Sequence, residues 1–175
     1  MKKSIPTSLK DEIDWTINKI ISKIKFEAKL HGLNTVDNWR DLVSEEALDP
    51  LSDVEVAEEN KNIYNFGTAE TQKLTHIVEQ LYPGKKVESS GSFLYPETGF
   101  MGWHTNSDSP CTRLYITHSD GESFFRYLNE DNEVITDYDD KGITIREFNI
   151  PKPPKKLWHC IGSNCNRYSF GFRIF

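Results

Sequence analysis

From Val87 onward the chain is a succession of short runs of β-formers broken by turn residues, and this spacing constrains the fold more than any other feature. The runs are "GSFLYP", "MGWHTN", "RLYITH", "SFFRYL", "EVITDY", "ITIREFNI", "KLWHCI" and "RYSFGF". Eight such runs between residues 87 and 175 are too short for helices and too closely spaced for βαβ units. They predict a mainly β sandwich or jelly roll, such as a double-stranded β-helix. Asp120-Gly121 and Asp140-Lys141-Gly142 separate successive runs, and both predict hairpin turns.

The preceding residues read as helical. Ser8 with Asp11 three positions later predicts a helix start. Ile13, Ile17, Ile20, Ile21, Ile24 and Ala28 then recur at helical spacing, with Gly32 as the stop and His31 as a helix-end residue. A second helix is predicted from Thr68 as cap through Leu74, Ile77, Val78 and Leu81 to Pro83-Gly84. Between them "SEEALDPLSDVEVAEEN" is acidic and reads as a solvated loop or short helix. No Gly- or Ser-rich linker divides the chain. The expectation is one domain, residues 1–86 lending helical support to a jelly-roll core at 87–175.

Bulk composition narrows the function classes. The 175 residues suffice for a sizeable core, and 12% aromatics supply it. A net charge of −6 and a pI near 5.4 give no general electrostatic footprint for nucleic acid. No stretch reaches membrane-spanning length, and the N-terminal residues lack an apolar leader. Three cysteines do not make a disulfide framework. Together these predict a soluble, cytoplasmic protein.

The last run carries the first chemical signal. As a strand, "RYSFGFRIF" puts Tyr168, Phe170, Phe172 and Ile174 on one face and Arg167, Ser169, Gly171 and Arg173 on the other. Two arginines and a serine on one strand face must meet water or an anion. Upstream, "YPETGFMGWHTN" places His104 and Asn106 two apart, where a strand would give them a common face, and "KLWHCIG" supplies His159. Two histidines and one oxygen donor are the ligand types of a non-haem iron(II) site that leaves positions open for substrate and oxygen. An arginine with a nearby hydroxyl suits capture of a carboxylate.

In this order the residues resemble the iron(II)/2-oxoglutarate-dependent dioxygenases. "RYSFGFR" is similar to the Arg-x-Asn-x-x-x-Arg ending of their alkylation-repair branch, and Arg-Tyr-Ser to the Arg-x-Ser of plant and microbial branches. "YPETGFMGWHTN" is similar to their Tyr-x-Pro-Gly…His-x-Asp stretch, and the whole resemblance spans roughly residues 89–175. The chain also resembles the small oxygenase-like proteins of marine cyanophages, for which host cytoplasm would be the compartment. The resemblance implies iron(II) held by His104, His159 and an oxygen of Asn106 or Asp108. It implies 2-oxoglutarate near Tyr95, its far carboxylate on Arg167 and Ser169, with Arg173 adding charge. It further implies conversion of 2-oxoglutarate to succinate coupled to oxidation, by hydroxylation, of a primary substrate. A metabolite or a protein side chain fits the acidic chain better than a nucleic acid.

One departure matters: the family's Asp is Asn106 here. A neutral amide oxygen ligates a metal more weakly, so a jelly-roll module that binds a carboxylate without turnover is the alternative from another class. His118 and Asp120 form a competing His-x-Asp, read as a surface turn. Cys111, Cys160 and Cys165 contain no Cys-x-x-Cys pair that would favour zinc. Arg113 and Arg126 read by default as partners of acids on the sheet surface.

Overall fold

All eight predicted strands form. A computed structural model describes residues 1–24, 28–29, 36–51, 61–66, 71–107 and 109–175; Asp108, His31, Gly32 and Thr68 fall outside them. The strands are β4 (Val87–Tyr95), β5 (Phe100–His104), β6 (Thr112–Ser119), β7 (Ser123–Leu128), β8 (Val134–Tyr138), β9 (Gly142–Asn149), β10 (His159–Ser163) and β11 (Arg167–Ile174). Three two-residue strands precede them, namely β1 (Ala28–Lys29), β2 (Lys61–Asn62) and β3 (Tyr64–Asn65). They join two antiparallel sheets, one ordered β1-β3-β4-β11-β6-β9 and the other β2-β5-β10-β7-β8. This mainly-β architecture is a double-stranded β-helix, a jelly roll of the cupin type.

The chain changes sheet at nearly every connection from β4 onward. Only β7 and β8 form a hairpin, closed by Asn129 and Glu133, with Asn132 in the left-handed region at φ 61°. Asp120-Gly121 and Asp140-Lys141-Gly142 therefore join strands of different sheets, and the hairpins predicted there are absent. Their turn residues encode a chain reversal. Whether the returning strand pairs with its predecessor or crosses to the facing sheet depends on which face each strand buries.

Two helices cover the outer face of the larger sheet. Helix α1 (Thr7–Ile21) and helix α3 (Gln72–Leu81) pack Ile13, Ile17, Ile20, Leu74, Ile77 and Val78 against Leu114, Ile116, Phe170, Phe172 and Ile174. The predicted periodicity is thus correct in kind, but α1 begins one residue early, follows Pro6 and has no side-chain cap. It also ends at Ile21, well before Gly32, and Ala28 belongs to a strand. The outer face of the smaller sheet carries Phe100, Trp103, Phe124 and Cys160, covered by Trp39 of helix α2 (Trp39–Leu42) and by Val43. Of the acidic segment, residues 44–51 are irregular and 52–60 lie outside the described residues.

Between the sheets lies a third cluster, including Ile63, Tyr95, Phe125, Phe148, Ile150 and Ile161. Here the inner faces meet, and the polar faces of β6, β9 and β11 turn toward this interior. The apolar face predicted for β11 meets the helices, and its arginine face meets the interior of the roll. Gly171 keeps that face passable. A Cβ there would lie 2.5 Å from Ser90 Oγ and 2.7 Å from the Tyr115 ring.

Candidate functional site

His104 closes β5 and His159 opens β10, and the two are register partners across the antiparallel pair. The register slips between His159 and Ile161, so Gly102 and Trp103 oppose Cys160 alone. This bulge lets Met101 and His104 both face inward while Trp103 faces out, the re-aiming a bulge provides. The imidazole centroids lie 4.1 Å apart.

Each imidazole is fixed by its own chain. His104 Nδ1 donates to the Gly102 carbonyl at 2.8 Å, and His159 Nδ1 donates to the Leu157 carbonyl at 3.0 Å. A carbonyl only accepts, so each Nδ1 carries a proton, and in the neutral form of such a ring Nε2 is the unprotonated nitrogen. That is the tautomer a metal-binding histidine needs. Burial holds the His159 pKa well below the usual imidazole value, and neighbouring His104 pushes the same way. Phe125 stacks on His159 with centroids 5.3 Å apart, closing its other side to water.

Asn106 does not share a strand face with His104, as the spacing predicts. β5 ends at His104, and Asn106 adopts φ 52°, a left-handed conformation that Asn tolerates better than most residues. Its side chain still converges on the pair, with Nδ2 3.1 Å from His159 Nε2. Metal bonds of about 2.0–2.2 Å at right angles put neighbouring donor atoms about 3 Å apart. Rotation of the amide exchanges Nδ2 for Oδ1, so this position suits an oxygen donor. The donor set fits a divalent cation with two imidazoles and one amide. Among the described residues no three His, Cys, Asp or Glu side chains gather at one point. Asp108, the other predicted oxygen donor, lies outside the described residues.

With fully buried His159 packed behind it, His104 opens onto a cavity of about 170 Å³ between the sheets. Tyr95, Arg167, Ser169 and Ser90 line it with Arg113 and Tyr115, and Phe93, Met101, Phe125 and Ile161 supply apolar walls. Two arginines and no carboxylate among the described lining residues make this an anion's environment. Arg167 is 2% exposed and lies over the Tyr95 ring, 5.0 Å from its centroid. Its Nε donates to Asp139 at 2.8 Å, while buried Nη1 has no hydrogen-bond partner. Ser169 follows on the same face. Arg173 shares that face but sits outside the cavity, opposite Glu88 on β4.

Asp139 was not legible as a site residue. It stands just beyond β8, its side chain fully buried, and is bound by Arg167, Arg146 and the Ser123 hydroxyl. Burial alone would raise its carboxyl. Arg167 and Arg146 outweigh this and hold it far below the usual carboxylate range. Arg146 also binds the Asp137 carboxylate at 2.9 Å. Arg113, predicted to pair with a surface acid, instead faces the cavity and is 6% exposed. The alternation that sorts β11 would have placed it, because Leu114 and Ile116 already claim the helix side.

The other predicted features separate from this site. Arg126 stacks on Phe124 on the outer face and bonds the Thr136 hydroxyl and the Val43 carbonyl, not an acid. His118 and Asp120 stand 3.9 Å apart at the β6–β7 connection, outside the cavity. Cys160 points to the face of β10 opposite His159, and burial pushes its thiol far up, so it is no partner for the histidines.

No protein-family model matches the chain, and no curated protein matches it. Solved structures do show likeness. A prolyl-4-hydroxylase of Pseudomonas putida is 16% identical over 92% of this chain and 98% of that one, with a TM-score of 0.42. An oxidoreductase of the 2OG-Fe(II) oxygenase family from Burkholderia pseudomallei is 9% identical over 79% and 76%, with a TM-score of 0.46. The CENP-C cupin domain of Drosophila melanogaster is 10% identical over 94% and 97%, with a TM-score of 0.39. TM-scores below 0.5 give these likenesses no force for the chemistry, which stands on the side chains alone.

Proposed function

We propose that this protein is an iron(II)- and 2-oxoglutarate-dependent oxygenase that hydroxylates a metabolite or a protein side chain. The observation that carries the reading is one cavity lined by both His104 and Arg167, with the His159 imidazole packed beside that of His104 and the Nη1 of buried Arg167 without a hydrogen-bond partner. His104, His159 and an oxygen of Asn106 or Asp108 would hold the metal. Arg167 and Ser169 would hold the far carboxylate of 2-oxoglutarate, with Tyr95 orienting the guanidinium beneath it. Bound iron and 2-oxoglutarate supply oxygen activation and the oxidising equivalents.

The chain's own part is ligation, orientation and exclusion of water. The two backbone carbonyls fix the imidazoles. Asp139 anchors Arg167 through Nε and leaves the rest of its fork for the ligand, the geometry that suits a carboxylate. Phe125, Phe93, Met101 and Ile161 keep the walls dry, which strengthens every charge inside. Arg173 contributes charge at longer range from the same strand face. The resemblance to the cyanophage proteins adds no substrate to this reading.

Neutral Asn106 favours a second reading, a binding module that captures a carboxylate without redox chemistry. One experiment separates the two. Iron(II) is titrated anaerobically in the presence of 2-oxoglutarate, and succinate is then measured after admission of air. Succinate formation that requires both supports the oxygenase. Binding of 2-oxoglutarate without iron dependence or succinate supports the module.

A further inference from the structure

The interior charge does not balance without a second anion. Arg146, Arg167, Asp137 and Asp139 form one network whose charges cancel. Of the two arginines outside that network on the inward faces, Arg173 stands opposite Glu88 and outside the cavity lining, and its register partner Arg113 is left over within the cavity. It is 6% exposed, its buried Nε has no hydrogen-bond partner, and no carboxylate among the described residues pairs with it. A buried unpaired guanidinium is costly, so its retention in a cavity wall points to a ligand.

The strand register places Arg113 far from Arg167. On β6, Arg113 lies six residues before Ser119, and Ser119 is the register partner of Arg167. Six residues of strand span about 20 Å at 3.3–3.4 Å each. Arg113 instead neighbours the histidines. Its partner on β9 is Phe148, whose ring lies 5.7 Å from that of His159. The cavity therefore has two cations set well apart, Arg167 and, on the side of the imidazoles, Arg113.

We propose that Arg113 anchors a carboxylate of the primary substrate on the histidine side of the cavity, so that the substrate is a small carboxylic acid. One unpaired positive charge matches one monoanionic group, and the small volume excludes a bulky partner. The assignment rests on the oxygenase reading only in giving Arg167 to the co-substrate.

The test uses glycolate, propanoate and butanoate as probes, titrated calorimetrically into the protein alone and into protein saturated with iron(II) and 2-oxoglutarate under argon. The variants are Arg113→Gln, Arg113→Lys and Arg167→Gln. At least one probe should bind wild type, lose tenfold or more in affinity in Arg113→Gln, and recover part of it in Arg113→Lys. Affinity for 2-oxoglutarate should change less than threefold in Arg113→Gln and collapse in Arg167→Gln. The proposal is overturned if no probe binds wild type. It is equally overturned if Arg113→Gln weakens 2-oxoglutarate as much as Arg167→Gln does, since both arginines then hold one ligand. If 2-oxoglutarate binds no form while a probe still binds through Arg113, the oxygenase reading fails and the Arg113 subsite stands. Stability gives an independent readout. Removing an unpaired buried charge should raise the melting temperature of ligand-free Arg113→Met by a few degrees, and a clear fall would make Arg113 a structural residue and defeat the proposal.

Discussion

In the proposed reading, Asn106 would set how strongly the site attracts a cation. Aspartate tolerates the left-handed conformation as asparagine does, so Asn106→Asp should leave the backbone at φ 52° unchanged. It adds a carboxylate beside the imidazoles, where a metal ion dominates the local field. Affinity for iron(II) should rise about tenfold or more, because unit charges a few ångströms apart gain several kcal/mol even at an effective dielectric of about 20, before desolvation is subtracted. Anaerobic titration checks this, with Asp108→Ala as the second arm. Unchanged affinity in Asn106→Asp together with loss of binding in Asp108→Ala would move the third ligand to Asp108. Arg167→Ala tests the arginine side of the cavity. Losing a charge-assisted pair there should cost about 2–5 kcal/mol of 2-oxoglutarate binding, while Arg146 remains to neutralise Asp139. Calorimetry showing unchanged affinity would remove Arg167 from the ligand's contacts. At this scale the two histidines and the arginine strand were legible, because residue type and order alone announce them. Alternation with Leu114 and Ile116 turns Arg113 inward, but neither its lack of a partner nor the place of Asp139 is written in the sequence. What distinguishes each is the presence or absence of a buried partner, and that is a fact of tertiary structure.

Strands were easier to read than their partners. Period-two alternation and turn residues mark where each of the eight strands lies, since both are local properties. The sheet each joins is non-local, and so the connections at Asp120-Gly121 and Asp140-Lys141-Gly142 were read as hairpins when they cross between sheets. The bulge in β5 is likewise invisible to strict alternation, yet it decides that Met101 and His104 share the inner face. β11 escapes this difficulty because its two faces differ so sharply in chemistry. Its Gly171 offers a test at the level of the element. A methyl group there would strike Ser90 Oγ and the Tyr115 ring, and overpacking of this kind costs about 1–3 kcal/mol. Gly171→Ala should lower the urea midpoint accordingly and, by displacing Tyr115 into the cavity, weaken 2-oxoglutarate binding as well. A variant as stable as wild type would mean that Ser90 and Tyr115 have room to yield.

Across the molecule, Asp139 ties the two sheets together. It leaves the end of β8 in the smaller sheet and reaches Arg146 on β9 and Arg167 on β11, both in the larger one. Its folded carboxyl lies far below the ordinary range because two guanidiniums outweigh the cost of burial. The sign of the linkage follows from that depression. The unfolded chain takes up a proton near the ordinary carboxylate value of about 3.9, whereas the folded chain resists until much lower pH. The contribution of Asp139 is therefore fully present above about pH 5 and is lost progressively as the pH falls below the unfolded value toward the folded one. Asp139→Asn removes the charge at every pH and leaves two buried arginines with a neutral amide between them. Breaking a buried pair in this way costs about 3–5 kcal/mol. Urea unfolding at pH 7 should show that loss, and between pH 5 and pH 3 the variant should lose less stability than wild type, so that the two curves converge in acid. Parallel curves over that interval would mean that the acid sensitivity resides in other carboxylates and that Asp139 does not hold the sheets together electrostatically. Because Asp139 also anchors Arg167, the proposed reading expects the same variant to bind 2-oxoglutarate more weakly at pH 7 even where it is fully folded, which would join the stability of the roll to its ligand.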